Sequence, residues 1–226
     1  MLVGLLAAGT LMVADATAPP GITPLREVVY KVKTSLQVSG NSQSYEGMGS
    51  TNQFVTDDGT VRIDIMAVQS NVLGIDVTEI MNKKGTPSKY QGNVTPDGTV
   101  NFGPSTISDA TRELLQFFGT QFLATDSVNV GSKWQTSLTR GAAKVDTDFA
   151  VTKIDGLLLT INEDQRISVK TTGANGTTRG TIVFKPSLLV PVSGDLSKVF
   201  TQSTPEGFVK QTLSLHFERV SDSRDK

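Results

Sequence analysis

From Val28 to Val38 the chain alternates without a break. Val28, Tyr30, Val32, Thr34, Leu36 and Val38 fall on one side, and Val29, Lys31, Lys33, Ser35 and Gln37 on the other. A side-chain period of two is the spacing of a β-strand, whose successive residues point to opposite faces. A strand this long with one apolar row must lie in a sheet that buries that row. The pattern then recurs at Val61–Ala67, Leu73–Met81, Tyr90–Val94 and Val100–Phe102, and again at Val145–Val151, Leu157–Ile161, Arg166–Thr172, Thr178–Phe184, Leu188–Val192 and Phe208–Val220. Ser44–Val55 reads as a polar strand near a sheet edge. Turn chemistry separates the runs: Gly40-Asn41-Ser42, Asp57-Asp58-Gly59, Asn82–Gly85, Pro96-Asp97-Gly98, Asp155-Gly156 and Gly173–Gly176. Asp58, Asp97 and Asp155 each precede a glycine and are assigned to turns, and Glu163-Asp164 to a polar loop.

One segment has helical spacing. Ser105 or Ser108 can cap it, Asp109 suits its positive N-terminal end, and Leu114, Phe118 and Phe122 recur at steps of four beside Leu115. Gly119 costs about 1 kcal/mol relative to Ala within a helix and is expected to stop it. No βαβ alternation is present, so the strands should pair antiparallel. The expected fold is mainly β: a single strongly curved antiparallel sheet, an open or closed barrel of about ten to twelve strands, with one helix packed on its concave face. The stretch around Ser105–Thr125 reads as a crossover inside one domain.

Met1 to Ala14 carry no charge, and the small-residue patterns Ala14-Asp15-Ala16 and Ala16-Thr17-Ala18 follow. This is the layout of a signal peptide's apolar core and cleavage site, although no basic residue precedes it. The run is shorter than the roughly 20 residues of a spanning helix. Residues 1–18 are therefore expected to be a signal peptide, 19–24 a proline-rich linker, 25–220 a single β-rich domain and 221–226 a polar tail. The expected location is periplasmic or extracellular, with no integral membrane segment in the mature chain.

Formal net charge is -1 and no Lys/Arg cluster interleaves with aromatics, so nothing favours a nucleic-acid or anionic-membrane partner. Cysteine is absent, which excludes disulfides, thiol catalysis, thiolate metal sites and a lipobox. The single histidine, His216, is too few for a two-histidine zinc motif. It lies opposite the apolar face of its strand, as a surface residue does, and no G-x-S-x-G accompanies it. Gly47-Met48-Gly49-Ser50-Thr51-Asn52 lacks the third glycine and the βαβ setting of a dinucleotide loop. Asp146 and Asp148 share a strand face and would suit a hard cation or acid–base work, but Val145, Phe149 and Val151 make that face the solvent side. No cofactor is expected. Aromatic content of 6% and a charged C-terminal tail do not fit an outer-membrane barrel.

Four aromatic residues remain as candidate ligand contacts. Phe117, Phe118 and Phe122 make the helix bulky, either as core packing or as the wall of an apolar pocket. Trp134 is the only tryptophan, either a buried anchor at a strand start or a binding platform.

The sequence from Phe117 to Ile161 resembles a group of uncharacterised bacterial exported proteins. It shares the pattern Val128-x-Val130-Gly131-x-x-Trp134 and the hairpin Phe149-x-Val151-x-x-Ile154-Asp155-Gly156. Ser132 stands where many of those proteins carry Asp. The layout is also similar to LolA/LppX-like periplasmic half-barrels. That resemblance implies a cradle for acyl chains or lipoproteins and transfers no binding residue. The expected function is therefore a non-enzymatic exported protein holding an apolar ligand or an envelope partner in the concavity of its sheet. A structural or adhesive surface module and a carboxylate-dependent hydrolase are the alternatives.

Overall fold

The computed structural model describes residues 23–44, 47–103, 107–119, 128–185, 190–204 and 207–225. The strands are β1 (Arg26–Ser44), β2 (Gly47–Gln69), β3 (Val72–Met81), β4 (Ser88–Val94) and β5 (Val100–Phe102), then helix α1 (Asp109–Gln116). After it come β6 (Lys133–Arg140), β7 (Ala143–Asp155), β8 (Leu158–Val169), β9 (Ala174–Lys185), β10 (Val190–Thr204) and β11 (Gly207–Asp222). They form one antiparallel sheet in the order β5-β4-β3-β2-β1-β11-β10-β9-β8-β7-β6. Two meanders thus meet at the β1–β11 pair. The sheet is open, with β5 at one edge and β6 at the other. The expected fold class holds, and the open form is the one adopted.

Topology explains where the helix goes. The chain must travel from edge strand β5 to edge strand β6, and α1 lies on that crossover. Ser108 caps the helix, its Oγ accepting from the Thr111 backbone N–H at 3.2 Å. The chain leaves the helical path at Phe117–Gly119, as Gly119 predicts. A flat sheet of eleven strands would be about 48 Å wide, and an eight-residue helix is about 12 Å long. Yet inward side chains from β4 (Val94, 0% exposed) to β7 (Phe149, 4%) are buried in one core with Leu114 and Leu115. Such burial requires a sheet curled around the helix. Tyr30 of β1 is the hub: its ring meets Phe118 and Phe217 edge-on, and its hydroxyl donates to the Pro191 carbonyl at 2.8 Å.

Several boundaries differ from expectation. Asp57-Asp58-Gly59 is not a turn but part of β2, which runs unbroken through it. Gly59 is there because the neighbouring strand approaches closely: a Cβ would sit 2.2 Å from the Ile80 carbonyl oxygen. The polar stretch of β2 is at an edge, as expected: β3 pairs with β2 only from Gly59 to Gln69, so the part through Val55 has β1 alone beside it. Its polarity comes from projection past the core, where Asn52 to Thr56 are exposed. Glu163-Asp164 is not a loop but the middle of β8. Asp97 and Asp155 do lie beside turns, with Gly98 at φ 72° and Gly156 at φ 57°.

The domain's C-terminal limit also moves. Ser221 and Asp222 complete β11 rather than starting a polar tail. Asp222 is 7% exposed and takes a bidentate pair from Arg26 (Nε 3.0 Å, Nη2 2.5 Å) and a further bond from Arg219 (2.9 Å). Burial alone would raise the Asp222 carboxyl. The Arg26 hydrogen bond, the Arg224 backbone N–H and the charges of Arg26 and Arg219 outweigh it and hold the group below the usual carboxylate range.

A candidate ligand pocket on the concave face

Strand register arranges the concave face in rows. Nearest the core, Val32, Phe217, Gly194, Ile182, Ile161 and Val151 stand side by side. The next row runs Leu215, Leu196, Gly180, Glu163, Phe149 and Trp134. Beyond it lies a polar row of Lys198, Thr178, Gln165, Thr147 and Thr136. An apolar row follows, with Phe200, Ile167, Val145 and Leu138. The last two rows face the Asp109–Glu113 side of α1.

A cavity of about 340 Å³ opens there, between the helix and the sheet. Leu36, Ile167, Val169, Phe200 and Leu213 form its apolar wall, and Asp109, Glu113 and Lys198 its charged side. Lys198 of β10 pairs with Glu113 of α1, so the ion pair ties helix to sheet beside the cavity. At the N-terminus of the helix, next to Asp109, the Ser108 hydroxyl donates to Glu79 of β3 at 2.7 Å.

The polar row is only partly self-satisfied. Thr178 Oγ1 donates to Gln165 Oε1 at 3.2 Å, and Gln165 Nε2 donates to Thr147 Oγ1 at 3.4 Å. Three buried polar atoms on β6 and β8 have no hydrogen-bond partner: Trp134 Nε1, Thr136 Oγ1 and Glu163 Oε2. Glu163 is 8% exposed. Burial pushes its carboxyl up to about 8, the Glu113 charge adds to the rise, Lys198 opposes it and Asp164 adds a little more. Glu163 is therefore mainly protonated at neutral pH.

The convex face differs in kind. A groove of about 660 Å³ there is framed by Lys133, Gln135, Asp148, Asn162, Asp164 and Arg179, and Trp134, Phe149, Glu163 and Gly180 of the same strands also line it. Opposite charges alternate across the strands there, with Arg166 on Asp148 and Arg179 on Asp164 (3.2 Å). Asp146 takes bonds from Lys144 (2.7 Å) and Ser137 (2.6 Å), which in that order hold its carboxyl below the usual range. The aspartates singled out from the sequence are thus neutralised on the solvent side. His216 is also on this face, with Nδ1 2.7 Å from Asp195. Among the described residues no group of three or more His, Asp or Glu side chains converges as a metal site. No described helix is long and apolar enough to cross a membrane.

No protein-family model matches the chain, and a search of curated proteins finds no relative of it. The site must be judged on its geometry.

Of the four aromatic candidates, Phe117 and Phe118 are 5% and 4% exposed and lie in the core, Phe117 stacking on Phe217. Neither lines the cavity. Phe122 falls outside the described residues. Trp134 is half-buried and stacks on Phe149 at 5.2 Å, on the concave face. Sequence reasoning missed Glu113, Glu163, Lys198 and Thr136. One signal was available for Glu163. Ile161, Glu163, Gln165 and Ile167 keep the period of two, so a strand continued through them turns both polar residues inward.

Proposed function

We propose that the protein is an exported, non-enzymatic binding protein that holds an apolar ligand, a lipid or the acyl part of a lipoprotein, in the concavity of its sheet. The observation that carries this reading is the cavity of about 340 Å³ between the helix and the sheet, with its wall of Leu36, Ile167, Val169, Phe200 and Leu213. An open curved sheet around a helix is also the layout expected of a LolA/LppX-like half-barrel, and the signal-like N-terminal run agrees with an envelope location. The test is a titration of refolded, delipidated protein with fatty acids and phospholipids, followed by Trp134 fluorescence. Saturable binding supports the reading, and no saturation with any lipid overturns it.

A surface-contact role is the second reading. The convex groove of about 660 Å³, with its Lys, Arg, Asp, Asn and Gln side chains, favours it, since such groups hydrogen-bond polysaccharide or protein. Binding that survives loss of Phe200 and Ile167 but not of Arg179 would select it.

A further inference from the structure

We propose that Trp134, Thr136 and Glu163 form a polar subsite that binds the hydrogen-bond-accepting oxygen of a carbonyl, ester or carboxyl head on the ligand. The inference rests on the reading of the concavity as a ligand site and adds the chemistry that the ligand must carry.

Buried polar groups in folded proteins are almost always hydrogen-bonded, and each exception calls for a reason. Here three exceptions among the described residues lie on one face of the sheet, within two strands of one another. Trp134 and Glu163 occupy one row of the sheet, on either side of Phe149. Thr136 is two residues beyond Trp134 on the same strand, so it shares that face. Burying such a group without a partner costs about 1–3 kcal/mol. Three of them on one patch form a site with unspent hydrogen-bonding capacity.

The polarity of that capacity is defined by its members. The Trp134 indole N–H donates and has no acceptor. A hydroxyl such as Thr136 can donate. A carboxyl as buried as Glu163 is held in its neutral form, which carries an O–H donor. Its rise to about 8 agrees with this. The charged groups that bear on it are Glu113 from the helix, Lys198 from β10 and Asp164 from its own strand. Three donors ask for an acceptor. A donor-only cationic head offers no acceptor to the Trp134 N–H. Gly180 beside Glu163 adds no side chain to the patch. The apolar row of Phe200 and Ile167 lies two rows further out, where a hydrocarbon tail would run.

The experiment is calorimetric titration of the full chain with three ligands that share a twelve-carbon chain, each below its micelle concentration. Dodecanoate and methyl dodecanoate carry accepting heads, one a free acid and one an ester. Dodecylammonium carries donors only. The expected result is binding of at least one accepting head about tenfold tighter than dodecylammonium, as one hydrogen bond of roughly 1.4 kcal/mol gives. Which of the two leads identifies the source as free acid or ester. Trp134→Phe keeps the ring and removes the N–H. It should lower affinity for the preferred head about tenfold and leave dodecylammonium unchanged. Thr136→Val, an independent variant, should act in the same direction. Equal affinity for all three heads, tighter binding of dodecylammonium, or full affinity in both folded variants would overturn the subsite and leave the apolar pocket standing. No binding of any of the three would overturn the pocket and the subsite together.

Discussion

At the scale of single residues, two buried carboxyls respond to pH in opposite directions. Glu163 has a folded pKa of about 8, above its ordinary value of 4.5. Below pH 4.5 both folded and unfolded chains hold the proton. Between 4.5 and 8 only the folded chain does, so stability falls as pH rises through that interval and levels off above it. At about 1.4 kcal/mol per unit the loss is on the order of 5 kcal/mol. Glu163→Gln should therefore melt close to the parent at pH 4.5 and several degrees above it at pH 8.5. Thermal melts across that range check this, and a constant gap at all pH values would contradict it. Asp222 has the reverse sign. Its folded pKa lies below the ordinary 3.8, so its contribution is present above pH 3.8 and is lost as the pH falls through the folded value. Arg26→Ala leaves that carboxylate buried with only Arg219 and the Arg224 backbone N–H named above as partners. It should cost about 3 kcal/mol at pH 7, read from denaturant midpoints, and less as the pH falls below 3.8.

Elements show where the sequence was legible and where it was not. The helix was legible because its cap, its apolar spacing and its glycine stop all agree. Ser108 does more than cap, since its hydroxyl also donates to Glu79. Ser108→Ala should cost about 2 kcal/mol, the upper range for a cap, whereas Asp109→Asn should cost under 1 kcal/mol. Urea titrations of both variants measure the difference. Strands β2 and β8 were each read as two pieces. Asp57-Asp58-Gly59 has turn composition, but Gly59 is set by the close approach of β3 rather than by a turn. Gly59→Ala should therefore destabilise by more than the few tenths expected of a solvent-facing glycine. Glu163 and Gln165 broke the apolar row of β8 because polar residues facing inward look like loop when only hydrophobicity is counted. The error concealed the residues that matter most for the candidate site.

At the scale of the molecule, the order of strands places the most protected elements in the centre. β1 and β11, joined along their length and locked by Arg26 on Asp222, come from the two ends of the domain. Hydrogen exchange should be slowest at Val28–Val32 and Leu215–Phe217, and fastest in edge strands β5 and β6 and in the projecting ends of β1 and β2. Faster exchange at the centre than at the edges would contradict the topology. A bound ligand that reaches Trp134 should slow exchange in β6 specifically. What the sequence by itself determined is local: the period of two, the turns at Asp97-Gly98 and Asp155-Gly156, one capped helix, and an antiparallel sheet with one apolar face. These follow from backbone geometry and nearest neighbours along the chain. Only the tertiary structure decided that the sheet stays open, that Asp222 belongs to the core, and that Glu113, Lys198, Glu163 and Trp134 gather on one concave face. Those residues are far apart in the chain, and their meeting depends on strand order and curvature.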